Sequence, residues 1–103
     1  MANEVIIAAA VVGAEVMREQ SPHVPYAPSE IAKAAVDAGR AGAAVVHLHA
    51  RWPDGRASQE AGHFREIVDR IRSAGSDVVI QCSTGGAVGM PIEERLGSLV
   101  PGA

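Results

Sequence analysis

The chain of 103 residues has one cysteine, Cys82, one lysine, Lys33, and three aromatic residues, Tyr26, Trp52 and Phe64. Each scarcity excludes something. A lone cysteine forms no internal disulfide, which removes the stapled secreted domains and favours a reducing compartment. Three aromatics make no stacking platform for single-stranded nucleic acid. With a formal net charge of −3, no basic stripe is present to neutralise phosphates, so no nucleic-acid partner is expected. The longest apolar run, Val5 to Ala14, is shorter than the about 20 residues that span a bilayer. It follows Glu4 rather than the basic leader of a signal peptide, and it reads as a buried strand. No membrane partner and a cytoplasmic location are therefore expected. What the chain does have is 48% hydrophobic residues, built from Ala, Val, Ile and Leu, which suits close packing of helices on a sheet.

Short β-rich runs alternate with helical patterns. Val5–Val11 has no polar residue on either face, as a parallel sheet covered on both sides requires, and Gly13 ends it. A loop with Pro22, Pro25 and Pro28 follows. The first helix opens near Pro28, where a proline loses no hydrogen bond. Its apolar face is Ile31, Ala34, Ala35, Ala38 and Ala41, and Gly42 supplies the left-handed cap. The second strand is Ala44–His49, and Pro53-Asp54-Gly55 marks a turn. A second helix from about Ala61 to Ala74 buries Phe64, Ile67, Val68 and Ile71, with Glu66 and Arg70 as an i,i+4 pair. The third strand is Val78–Ser83, and a third helix starting near Pro91 carries Ile92, Leu96 and Leu99. The order β-α-β-α-β-α implies right-handed parallel crossovers.

Three parallel strands are too few for a doubly wound sheet, and a (β/α)8 TIM barrel needs eight and about 250 residues. A spacing of roughly 35 residues per unit fits a piece of either. The expected fold class is α/β, the first three βα units of an incomplete (β/α)8 TIM barrel. Residues 1–103 would be the N-terminal part of its catalytic domain, ending where a fourth strand would begin, after Val100.

In parallel α/β sheets the ligand site lies at the carboxyl ends of the strands. Here those ends carry Glu15, then His47 and His49, then Ser83-Thr84-Gly85-Gly86. Strand side chains alternate, so His47 and His49 project the same way, about 7 Å apart along the strand. Two imidazoles on one face can converge on a zinc ion or another late first-row metal; the plainer alternative is a pair of histidines satisfied by core hydrogen bonds. A catalytic zinc normally takes three protein ligands and an open position. His63 lies on a helix behind the sheet, and His23 is in the proline-rich loop, so a carboxylate from a further strand is the better third ligand. Glu15 is either a solvated loop acid or a charge contact and proton acceptor in the site. Ser83-Thr84-Gly85-Gly86 offers hydroxyls and amides that suit a carboxylate or phosphate, without the lysine of a P-loop. Cys82 reads as a buried strand residue, and Arg51 either orients an anion or pairs with Asp54.

Five stretches carry a family resemblance. They are Val11–Glu15, Pro25–Ala32, Ala41–Arg51 with its His47-Leu48-His49 centre, Gln81–Gly86 and Glu93–Leu96. Together they resemble the β-keto acid cleavage enzymes, the 3-keto-5-aminohexanoate cleavage family of lysine fermentation. The resemblance implies a zinc-dependent (β/α)8 barrel that carries out a retro-Claisen exchange. In it a β-keto acid and acetyl-CoA give acetoacetate and a new acyl-CoA. It implies His47 and His49 as zinc ligands, Glu15 as the acid contacting the distal amino group of the lysine-pathway substrate, and Ser83 and Gly86 as holders of its carboxylate end. The family's third zinc ligand, a glutamate, and an aspartate and arginine implicated in the chemistry lie on late strands. The resemblance therefore assigns no catalytic residue within this chain, and the isolated chain is expected to be inactive. The full-length protein is expected to be a homo-oligomer. Ala27 stands where the family has a threonine cap, and Trp52 where it has an aspartate after the arginine. Two other readings remain: a fragment of a metal-dependent hydrolase of the amidohydrolase type, and a non-catalytic module that binds metal without turnover.

Overall fold

A computed structural model describes residues 3–100. Its central feature is a three-stranded, all-parallel sheet of β1 (Ala8–Ala10), β2 (Val45–Leu48) and β5 (Val79–Cys82), in the order β1-β2-β5. Helices α1 (Pro28–Arg40) and α2 (Ala61–Ser73) make the crossovers. A small antiparallel hairpin, β3 (Ala50–Arg51) with β4 (Ala57–Ser58), lies between β2 and α2. The chain then runs through a single turn of helix, α3 (Ile92–Arg95), into a 3-10 turn, Leu96–Ser98. Sequential strands are neighbours and no reversal of strand order occurs, an arrangement compatible with part of a TIM barrel. The end of the third unit, residues 101–103, where the sequence reading sets the limit before a fourth strand, lies outside the described residues. No helix among those residues is long and apolar enough to cross a membrane.

Both long helices form where their apolar stripes predict, and both pack on the same face of the sheet. Phe64, Ile67, Val68 and Ile71 of α2 are buried, as are Ile31 and Ala35 of α1, with Ala32 and Val36 added to the stripe, whereas Ala34 and Ala38 are half-buried and Ala41, past the helix end, is exposed. They meet Val46, Leu48 and Ile80, which alternate onto this side of the strands. Ala27 has no oxygen to cap α1, but the Glu30 carboxylate accepts the Ala27 N–H at 2.9 Å. Its pKa is lowered, first by that bond, and also by the Tyr26 N–H and the Arg18 guanidinium. Ahead of α2, Ser58 Oγ accepts the Glu60 N–H at 3.1 Å and is bonded to His63 Nδ1 at 2.6 Å, tying the residue before the helix to its first turn, while no side chain caps the helix itself. Gly42 takes φ +120° after α1, the left-handed conformation expected of it.

Three expectations need correction. The first strand is only three residues long, and Val5 and Ile6 are 85% and 81% exposed rather than buried. β2 begins at Val45, so residues ahead of Ala8 have no strand beside them to extend the ladder. Secondly, the sheet is covered on one face only. Val79, on the open face, is 59% exposed, because both crossover helices lie on the other side. Thirdly, the last helix stops after one turn and leaves Ile92, Leu96 and Leu99 exposed. The Gln59 side-chain amide donates to the Arg95 carbonyl at 2.8 Å, taking the acceptor that a further α-helical turn would use.

Arg51, expected at an anion or at Asp54, does not pair with Asp54. It is 2% exposed. Its Nε donates to Gly13 O, its Nη1 to Gly55 O and its Nη2 to Val16 O, all at 2.8 Å. Asp54 pairs instead with Arg56 at 2.7 Å within the turn. Gly55 adopts φ +95°, and a Cβ there would lie 2.6 Å from the Tyr26 ring, so the turn admits no side chain at that point.

Two substitutions test this account. Arg51→Ala orphans three carbonyls at once and should lower stability by about 3 kcal/mol in a urea titration. Arg51→Lys should recover only part of that, since an ammonium cannot reproduce the planar fork. Gly97 packs so closely on the Gln59 carbonyl that a Cβ would overlap it. Gly97→Ala should therefore cost about 1–3 kcal/mol by overpacking and raise amide exchange in residues 96–100.

Candidate functional site

The carboxyl ends of the three strands converge with the loops that follow them. β1 leads through Gly13 and Ala14 to Glu15. The Glu15 carboxylate accepts the Val88 N–H at 3.2 Å, so the loops after β1 and β5 are joined across the end of the sheet. A cavity of about 470 Å³ opens between them, lined by Ala14, Glu15, His49, Gly86, Met90 and Arg95 among others. Of the residues singled out from the sequence, Glu15, His49 and Gly86 share this lining.

His47 is on β2, and His49 directly follows the strand's last residue, Leu48. Their ring centroids lie 5.4 Å apart at an interplanar angle of 69°. Leu48 turns the other way and is fully buried against the helices, which is the alternation that brings both imidazoles to one side. The His49 pKa is lowered, first by burial and then by the neighbouring His47 and Arg51, with Glu15 acting in the opposite sense. A lowered pKa keeps the imidazole neutral, the form that binds a metal. Two imidazoles turned to one side of the strand fit half of a zinc site. Among the described residues no group of three or more His, Cys, Asp or Glu could hold a metal ion.

Ser83 and Gly86 occupy the turn after β5. Ser83 Oγ accepts the Gly85 N–H at 3.0 Å, and Ser83 itself is nearly buried beneath the loop. Its backbone N–H donates to Leu48 O at 2.9 Å, extending the β2–β5 ladder by one bond. Gly86 takes φ +58°, and a Cβ there would stand 2.5 Å from Met90 Sδ and 3.3 Å from Arg95 Cγ. Close packing at Gly86 therefore sets the back wall of the cavity.

The remaining candidates separate from the site. His23 sits in a surface cleft with Glu30, Lys33 and Asp37, beside α1. His63 is behind the sheet on α2 as expected, bonded to Ser58 and edge-on to Trp52 at 4.6 Å. The Trp52 ring thus packs on α2. Cys82 turns toward the helices, half-buried, and burial pushes its thiol pKa up, away from reactivity.

Two residues of the site were passed over in the sequence. Gln81 lies opposite His47 in the parallel register, and its Oε1 is 2.6 Å from His47 Nδ1. Counting alternation across both strands would have placed the two side chains together. Arg95 lines the cavity from α3, anchored by its Nε on Thr84 O at 2.7 Å. It comes from an element whose position depends on tertiary contacts, so strand-end reasoning does not reach it.

A family model described as beta-keto acid cleavage enzyme matches residues 4–101. The chain is 50% identical over 96 residues to the 3-keto-5-aminohexanoate cleavage enzyme of Fusobacterium nucleatum, covering 93% of this chain and 35% of that protein. It is 52% identical over 94 residues to the enzyme of the same name from Acetoanaerobium sticklandii, covering 91% of this chain and 34% of the relative. The 3-dehydrocarnitine:acetyl-CoA trimethylamine transferase of Rhizobium meliloti is 46% identical over 86 residues, 82% of this chain and 29% of that protein. The chain thus spans about a third of the length of the curated relatives it matches. With the family match running through all three strand ends and the histidine pair between them, the chain belongs to the beta-keto acid cleavage enzyme family.

Proposed function

We propose that this chain forms the first three βα units of a (β/α)8 barrel that cleaves a β-keto acid with acetyl-CoA in a zinc-dependent retro-Claisen exchange. The products are acetoacetate and a new acyl-CoA. The observation that carries the reading is the His47–His49 pair, with ring centroids 5.4 Å apart, at the carboxyl end of the middle strand inside a family match covering residues 4–101. The relatives named as acting with acetyl-CoA support the co-substrate.

In this reading His47 and His49 hold the zinc together with a carboxylate supplied from elsewhere in the whole protein. Bound zinc would supply a Lewis acid that polarises the β-keto oxygen and favours the negative charge developing there. Ser83 and Gly86 would hold the substrate's carboxylate end. Ser83 Oγ already accepts the Gly85 N–H, which leaves its own hydroxyl proton to donate. Glu15 would meet the distal group of the substrate, an amino group in the lysine pathway. Its anchor on the Val88 N–H leaves carboxylate lone pairs to accept from that group. A full-length form would be a homo-oligomer acting in the cytoplasm.

A second reading is favoured by the donor set itself. With two imidazoles and no third donor grouped with them among the described residues, this chain alone binds metal without turnover.

Titration with zinc tests the ligand assignment. The 103-residue chain should bind weakly, and His47→Ala should abolish the binding in calorimetry; tight tetrahedral binding by the monomer would contradict a missing ligand. The lowered pKa of His49 fixes the sign of the pH dependence. At His49 protons compete with metal only at a lower pH than at an ordinary imidazole, so in an NMR pH titration its ring should stay neutral to a lower pH than a free imidazole does. Activity is tested by acetoacetate formation from a β-keto acid and acetyl-CoA. A full-length form should give product, the 103-residue chain should not, and Glu15→Gln should raise KM for an amino-substituted substrate more than for one without the amino group.

A further inference from the structure

We infer that Gln81 is a positioning residue for His47, fixing which ring nitrogen is left free to bind a metal. This rests on His47 being a ligand, as proposed above. The β1-β2-β5 register sets Ala10, His47 and Gln81 in one row across the open face of the sheet. Ala10 offers His47 no polar side chain, whereas Gln81 Oε1 lies 2.6 Å from its Nδ1.

A neutral imidazole carries its proton on one of two nitrogens, and the partner of one nitrogen decides the state of the other. The carboxamide oxygen of Gln81 can only accept, so the bond requires Nδ1–H. That leaves Nε2 unprotonated, with its lone pair in the ring plane. The acceptor also fixes the ring about χ2, so Nε2 keeps its direction relative to the His49 ring. Orienting bonds of this kind typically change metal affinity by about 10–100-fold. Gln81 is held by the strand that pairs with β2 and is exposed on the open face. Its substitution therefore removes an orienting bond without opening a hole in the core.

The test uses the 103-residue chain and three forms: the unaltered chain, Gln81→Leu and Gln81→Glu. Ring nitrogen chemical shifts of His47 are read in metal-free protein, and zinc alone is titrated by calorimetry. The unaltered chain should show the Nδ1–H tautomer. Gln81→Leu should redistribute the proton between the nitrogens and weaken zinc binding by about tenfold or more. Gln81→Glu, which keeps an acceptor at the same place, should restore the tautomer. Amide spectra of each variant establish that it is folded. An unchanged tautomer in Gln81→Leu would overturn the role of Gln81. Zinc binding left unchanged by His47→Ala would overturn the ligand assignment of His47, while the tautomer still decides whether Gln81 orients the ring.

Discussion

The site depends on a cation that water never reaches. The Arg51 guanidinium takes the carbonyls of Gly13 and Val16 with two of its nitrogens and that of Gly55 with a third. Gly13 and Val16 bracket Glu15, so one side chain grips both ends of the segment that presents the acid. Arg51 is also two residues beyond His49, on the first strand of the hairpin. The segment that follows the histidine strand is thereby tied to the acidic loop through two hydrogen bonds of one rigid fork, with the third going to the hairpin turn. A desolvated guanidinium is costly to bury and worth its cost only when its donors are satisfied. Here three carbonyls and the Met17 sulfur at 3.6 Å meet them.

The sheet has two unlike faces. Val46, Leu48 and Ile80 turn toward α1 and α2 and make the core with the helix stripes. The other face shows an apolar row, Ala8, Val45 and Val79, and a polar row, Ala10, His47 and Gln81, nearer the carboxyl ends. In barrels the side chains on this face stack in layers, and a polar layer at the carboxyl end is where ligands are met. Val79 of the apolar row stands in water, so covering this face would remove apolar surface from solvent.

Much of this was legible in the residues themselves. Pro28 opens α1 and Gly42 follows its end, and the Phe64–Ile71 stripe is buried as its 3.6-residue spacing requires. The alternation in His47-Leu48-His49 put both imidazoles on one side. Less legible were features set by distant partners. Nothing near Arg51 in sequence announces Gly13 or Val16 as its acceptors. The β3–β4 hairpin has strands of two residues, too short for any periodicity. The end of α3 is decided by Gln59, 36 residues earlier in the chain. Apolar content alone suggested a long first strand, but a strand extends only as far as its neighbour does.

The bonding of Arg51 also shapes the potential around the site. Its donors go to carbonyls and a thioether, none of which carries a compensating negative charge. The positive field is therefore not cancelled at source, and it reaches His49, where it helps lower the pKa. The chain as a whole is negative, with a formal charge of −3, and would repel anions at long range. At the strand ends Arg51 lies beneath the loops, and Arg95 lines the cavity together with the Glu15 carboxylate. The cavity thus carries charge of both signs, and a bound ligand would meet a guanidinium on one wall and a carboxylate on another.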